Sequence, residues 1–239
     1  MGLVSLIPAG LNAEGLRWLA IGNSITQHGP NEALKWAGES RGMAASSLEN
    51  DYIHRLSHKM AEGGVTVDSR KIVGRLGRLS AGTIEQVSTV LDELREWKAD
   101  LVTIQLGEND KLAELGEAGF EERYRTVAIG AVDPTRTVTV ICTGVWSPGT
   151  PLDAVDPVRY RPGSEAAVKD AIIEKICRER GYVFVPLAVL SANRANYGDG
   201  ETPGVKWHPN DKGMEGYAAL IYAALEKQLK TGANHKGAQ

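Results

Sequence analysis

Three side chains stand where this chain can hold a reactive group in place: a serine, an amide and a histidine. Ser24 lies in Gly22-Asn23-Ser24-Ile25-Thr26, directly behind the apolar run Trp18-Leu19-Ala20-Ile21. A serine at the exit of a buried strand sits on the rim of a sheet and faces a cleft, and the glycine before it allows a tight turn. Asn109 lies in Gln105-Leu106-Gly107-Glu108-Asn109-Asp110, behind the strongest strand pattern in the chain. A side-chain amide at that rim can donate to a developing oxyanion. His208 stands in Trp207-His208-Pro209-Asn210-Asp211-Lys212-Gly213-Met214, ahead of a C-terminal helical pattern capped by Asn210 or Asp211. The proline limits where the imidazole can point. Each residue alone has an ordinary reading as a strand end, a cap or turn, or a surface histidine. Together, in this order and at the edges of predicted elements, they offer nucleophile, oxyanion donor and general base.

The elements that must position them follow from hydrophobic patterning. Apolar runs at 17–22, 101–106, 137–142 and 182–186 read as buried strands, with a weaker one at 65–73. Near-continuous Val, Ile and Leu is expected where a parallel sheet is covered on both faces. Helical patterns fall between them at 51–62, 83–97, 120–132 and 164–180, with a last one at 211–230. The alternation implies an α/β fold, a three-layer α/β/α sandwich around a central, mostly parallel five-stranded sheet. No linker, repeat or low-complexity segment divides the chain, so residues 1–239 read as a single domain. Two long connections, 29–47 and 146–162, lie where open parallel sheets bind ligands.

Composition excludes other classes. A net charge of −3 carries no basic excess, so neither nucleic acid nor an acidic membrane is an expected partner. The N-terminal residues have no basic region ahead of their short apolar run, and no stretch approaches the length that spans a bilayer; a soluble, cytoplasmic protein is expected. Cys142 and Cys177 fit no metal spacing and read as buried free thiols. His54 and His58 stand at i, i+4, but Arg55 occupies the place of a zinc hydrolase's glutamate; the pair reads as a solvated helix face. The glycines of 74–82 match neither nucleotide-binding spacing, and His28 has no assigned proton-transfer role though it can line the cleft.

Taken together, the blocks resemble the SGNH hydrolase superfamily, which includes the GDSL esterases. Gly22-Asn23-Ser24 is similar to its first block, Gly107-Glu108-Asn109-Asp110 to its GxND block and His208-Pro209-Asn210 to its HPN block. The resemblance implies a flavodoxin-like SGNH fold, Ser24 as nucleophile and His208 as general base. It also implies an oxyanion hole of the Ser24 N–H, the Asn109 amide and a second-block glycine. That glycine is carried to Gly82, where a shift to Ala81 would serve equally because only the backbone donates. No cofactor and no metal are implied. The implied substrate is a small acyl ester, foremost an O-acetylated carbohydrate. That choice follows the softer likeness of Gly42-Met43-Ala44-Ala45-Ser46-Ser47, Asp51-Tyr52-Ile53-His54 and Asp211-Lys212-Gly213-Met214 to a bacterial subgroup tied to carbohydrate metabolism. Trp207, Trp146 and Trp36 are candidates to stack on a sugar. The alternatives are a lipid-type esterase or thioesterase, or a non-catalytic carbohydrate-binding protein on the same fold.

Two departures from the family pattern matter. Asn23 replaces the aspartate of the GDSL signature, which leaves the nucleophile in place. Val205 stands three residues before His208, where the family carries the aspartate that orients the imidazole. Either a backbone carbonyl holds the ring, giving a Ser–His dyad, or Asp199 or Glu201 folds back as the acid. In the dyad the histidine is expected to titrate near the ordinary ~6.5.

Overall fold

Side chains alternate between two hydrophobic layers along the central strands of the sheet. The computed structural model describes residues 15–37, 39–74, 84–148, 163–198 and 200–236. Its strands are β1 (Leu16–Gly22), β2 (Val67–Val73), β3 (Leu101–Gln105), β4 (Thr139–Thr143) and β5 (Val183–Val185). They pair in the order β2-β1-β3-β4-β5, and every pair is parallel. The helices are α1 (Tyr52–Glu62), α2 (Ile84–Glu96), α3 (Leu112–Arg123), α4 (Glu165–Arg180), α5 (Ala188–Ala192), α6 (Pro203–Lys206) and α7 (Asp211–Lys236).

On one face, Leu19 and Ile21 of β1 meet Val102, Ile104, Val140 and Cys142, covered by Leu91, Phe120 and Ile173 of α2, α3 and α4. On the other, Trp18 and Ala20 meet Leu101 and Ile141, covered by Ile53 and Leu56 of α1 and by Tyr217 and Ile221 of α7. Burial on both faces explains why the central strands read as unbroken apolar runs rather than as alternation. Within them the buried Trp18 indole N–H donates to Thr103 Oγ1 at 3.0 Å. Cys142 and Cys177 are buried free thiols.

The helix expected over 120–132 begins earlier, at Leu112, and continues as a π turn over Tyr124–Ala128 and a 3₁₀ turn over Ile129–Ala131. Its first part escapes sequence reading because Gly116 breaks the helical geometry and only Phe120 of α3 is buried. Helices α5 and α6 also escape it, since four or five residues carry no full period of the pattern. The expected cap of α7 is Asn210, whose Oδ1 accepts the N–H groups of Lys212 and Gly213, both at 3.1 Å.

Candidate active site

The chain leaves β1 toward β2 on one side and later returns to β3 on the other, so the sheet reverses its winding between β1 and β3. Open parallel sheets place their ligands outside the carboxyl ends of the strands at such a point. Ser24 follows β1 there and Asn109 follows β3.

The Ser24 turn is held from several directions. The N–H groups of Thr26 and Gln27 both donate to the Asn23 carbonyl at 3.0 Å, and Asn23 Oδ1 accepts the Ile25 N–H at 2.9 Å. Gln105, the last residue of β3, accepts the Asn23 N–H at 3.3 Å and the Thr26 hydroxyl at 3.1 Å. A Cβ at position 22 would collide with Thr26 Oγ1 and crowd Gln105 Oε1, so the turn needs a glycine there. Thr26 Oγ1 in turn accepts from the buried Tyr52 hydroxyl at 2.8 Å. Desolvation pushes the Tyr52 pKa well up, which keeps it a donor. The Ser24 carbonyl accepts the Met43 N–H at 2.8 Å. The Ser24 N–H meets no acceptor among the described residues.

His208 is positioned by a single helical turn. Thr202 caps α6 by accepting the Val205 N–H at 3.4 Å, and Pro203 occupies its first turn. The chain turns back as the His208 N–H donates to the Val205 carbonyl at 2.9 Å. His208 Nδ1 then lies 2.7 Å from the Gly204 carbonyl, and Nε2 lies 2.7 Å from Ser24 Oγ. A carbonyl can only accept, so Nδ1 carries the proton and Nε2 presents its lone pair to the serine hydroxyl. Burial lowers the His208 pKa to about 4; the Gly204 carbonyl opposes that shift and the nearby His28 imidazole adds to it. The expectation of titration near ~6.5 is thus corrected, because it took the ring as solvated. At neutral pH the imidazole is a free base against a serine hydroxyl.

The third block forms the loop after β3. Gly107 has a φ of +121°, a conformation that L side chains rarely adopt, and packs beside Phe120 and Val145. Asn109 is exposed on this loop and Asp110 is buried beneath it. Between them and the serine turn lies Glu108, whose Oε2 accepts from Asn23 Nδ2 at 2.7 Å and whose Oε1 accepts the Trp146 N–H at 2.9 Å. Burial pushes the Glu108 pKa up, while the Trp146 N–H and the Gln105 side chain pull it back. Sequence reasoning assigned Glu108 no role, although a carboxylate beside a strand exit was the available signal.

The model of the GDSL-like lipase/acylhydrolase family matches residues 20–215. The chain belongs to that family. A search of curated proteins finds no significant match. Among solved structures, the chain is similar to a Clostridium thermocellum family 3 carbohydrate esterase, with 15% identity and a TM-score of 0.58 over 92% of this chain and 99% of that one. It is also similar to TesA, with 14% identity and a TM-score of 0.56 over 88% and 98% of the two chains. A catalytic mutant of the acetylxylan esterase Axe2 from Geobacillus stearothermophilus shares 16% identity and a TM-score of 0.51 over 90% and 96%. At these identities the likeness shows the fold, an SGNH-type α/β architecture with an all-parallel five-stranded sheet.

Against the SGNH pattern, the remaining sequence expectations divide. Gly82 and Asp199 lie outside the described residues. Glu201 does not fold back: its carboxylate is 72% exposed and pairs with Lys35 Nζ at 3.1 Å, drawn to solvent by a cation on the 29–47 connection. Val205 is buried with Trp36, Met43 and Ala44, so a carboxylate in its place would enter an apolar cluster. Glu201→Ala is therefore expected to keep kcat within about twofold of wild type in steady-state ester hydrolysis, since an exposed pair contributes little. A ~10³-fold loss would instead identify it as the orienting acid.

The aromatic candidates also separate. Trp146 is corrected: it is 1% exposed, packs against Tyr197 and Tyr217, and donates its indole N–H to the Trp207 carbonyl at 2.8 Å, leaving no ring face for a sugar. Trp36 is likewise enclosed, with the Arg41 guanidinium 4.3 Å above its ring. Trp207 stays half-buried, edge-on to the His208 ring, in the wall of a cavity of about 330 Å³. His54 is not part of a solvated face. Its Nδ1 pairs with Asp51 Oδ1 at 2.8 Å and its Nε2 faces Arg70 at 3.0 Å, tying the start of α1 to β2. The 42–47 and 211–214 segments meet where Asp211 accepts from the Ser46 N–H at 2.8 Å and hydroxyl at 2.6 Å. They thereby brace the loop whose Met43 holds the serine turn.

Proposed function

We propose that this SGNH-family protein is a serine esterase that removes small acyl groups, foremost acetyl, from the hydroxyls of a carbohydrate. The observation that carries the reading is the 2.7 Å pairing of Ser24 Oγ with His208 Nε2, in a ring whose proton is held on Nδ1 by Gly204. His208 accepts the serine proton as Oγ attacks the ester carbonyl. The Ser24 N–H and the Asn109 amide, with the Gly82 N–H assigned from its motif, stabilise the tetrahedral oxyanion. The imidazolium then protonates the departing alcohol, and water repeats the sequence on the acyl-enzyme. The Gly204 carbonyl fixes the tautomer in the manner of a triad acid but supplies no full negative charge for the imidazolium, so the pair works as a dyad.

The substrate reading rests on the cavity whose wall includes Trp207, the residue before His208, and Glu108, the residue before Asn109. Glu108, Ser147, Ser164, Glu165 and Lys169 line it together with Val145, Trp146, Ala166 and Trp207, a wall in which polar groups are interleaved with aromatic and small apolar ones. Such a wall suits a polyhydroxylated alcohol better than a fatty acyl chain. The expected result is that acetylated sugars and short acyl esters are turned over and that kcat/KM falls steeply as the acyl chain lengthens. A fluorophosphonate probe should label Ser24 at the same time. Preference for long acyl chains or thioesters would favour the lipid-type reading. Absence of labelling in folded protein would favour a non-catalytic binding protein.

A further inference from the structure

Ser24, Asn109 and His208 sit on three loops far apart in sequence, and one chain of hydrogen bonds joins all three loops. Asn23, next to the nucleophile, donates Nδ2 to Glu108 Oε2 at 2.7 Å. Glu108, next to Asn109, accepts the Trp146 N–H on its other oxygen at 2.9 Å. Trp146 donates its indole N–H to the carbonyl of Trp207, next to His208, at 2.8 Å. The Trp146 ring packs edge-on against Tyr197, whose backbone bridges Pro209 on the far side of the histidine. We propose that Glu108 is the positioning residue that holds the Ser24, Asn109 and His208 loops in one register, and that Asn23 stands in place of the signature aspartate because Glu108 faces it.

The donor–acceptor count at this junction is strict. Asn23 Oδ1 is committed to the Ile25 N–H, so the side chain has only N–H to offer Glu108. Trp146 also offers an N–H. Asn23 and Trp146 thus set a donor against each oxygen of Glu108, with the Gln105 side chain alongside, so the side chain must accept on both oxygens, as only a carboxylate does. Glu108→Gln keeps the shape but sets its NH₂ against a donor on one side or the other. Asn23→Asp sets two carboxylates face to face. The double substitution restores the count. A carboxylate at position 23 keeps the Ile25 N–H on one oxygen and receives an amide N–H from position 108, whose remaining oxygen accepts from Trp146. The single negative charge simply moves across the contact.

The test rests on the esterase reading above and uses wild type, Asn23→Asp, Glu108→Gln and the double variant. kcat is measured per serine titrated by a fluorophosphonate, alongside KM on a small acetate ester and the thermal midpoint. Each single variant is expected to lose about 10²-fold in kcat with little change in KM, the scale of a slightly misplaced reacting group. The double variant is expected to recover to within about fivefold of wild type, because directly coupled residues are non-additive. A residue needed only for folding would lower the titrated fraction, not the turnover of each titrated serine. Near-wild-type kcat in the single variants, or a double variant whose loss equals the product of the two, overturns the proposal. If a single variant does not fold, the double must fold and turn over; a double that also fails to fold overturns it. The thermal midpoints read the same coupling without substrate, so an inactive wild type would count against the esterase reading and additive midpoints against Glu108.

Discussion

Ser24→Ala is expected to lose ~10³-fold or more of ester hydrolysis while the fold survives nearly intact. Among the described residues Ser24 Oγ pairs with His208 Nε2 alone, and the serine is only half-buried at the rim of the sheet. The bonds that shape the turn run through the Asn23 side chain and backbone, Gln105, Thr26 and the Ser24 carbonyl, which alanine keeps, and none through the serine hydroxyl. Removing it costs one hydrogen bond, about 1 kcal/mol, and shifts the thermal midpoint by roughly 2–4 °C. The chemistry, in contrast, loses its covalent acceptor, and what remains is binding and oxyanion stabilisation for attack by water. Initial rates on a small acetate ester, paired with circular dichroism melts, separate the two effects. Turnover near wild type in folded Ser24→Ala would end the case for a serine nucleophile.

His208→Ala is expected to cost as much, since a nucleophile and its base act as one unit, and loss of either removes the benefit of both. The pH dependence of the wild type carries the finer test. The His208 pKa is lowered to about 4, so the base form persists through neutral and mildly acidic pH. The acidic limb of kcat/KM should accordingly lie near pH 4, not near ~6.5 as for a solvated imidazole. The sign for stability follows from the same shift. A histidine whose folded pKa lies below its unfolded value contributes stability above the unfolded pKa, and that contribution is lost as pH falls through the folded value. The thermal midpoint of the wild type should therefore drop more between pH 6.5 and pH 4 than that of His208→Ala. An acidic limb near ~6.5 would mean that the ring is hydrated in the working enzyme and that Gly204 alone does not hold it.

The central strands were legible along the chain, because a strand covered on both faces is largely apolar, whereas the half-exposed edge strand β2, with Asp68, Arg70 and Lys71, left only a weak pattern. The nucleophile's neighbourhood was equally legible: a glycine, an amide and a hydroxyl behind a buried strand form a local pattern, as do His208 with its proline and Asn210 as the cap of α7. The tertiary structure decided what depends on contacts between distant residues. Val205 left the orienting group open, and three groups were within reach along the chain. The α6 turn delivers the Gly204 carbonyl to Nδ1, while Glu201 goes to Lys35, 166 positions away. Trp146 read as a sugar platform from its place in a loop, yet its ring fills the space between Tyr197 and Tyr217. Glu108 had no role assigned from the chain, yet it meets Asn23 across 85 residues and Trp146 across 38. The depressed His208 pKa has the same origin, because desolvation is a property of everything packed around a ring. Local order along the chain encodes backbone geometry and the identity of a reactive group, whereas its proton affinity and hydrogen-bond partners are set by neighbours that only folding brings together.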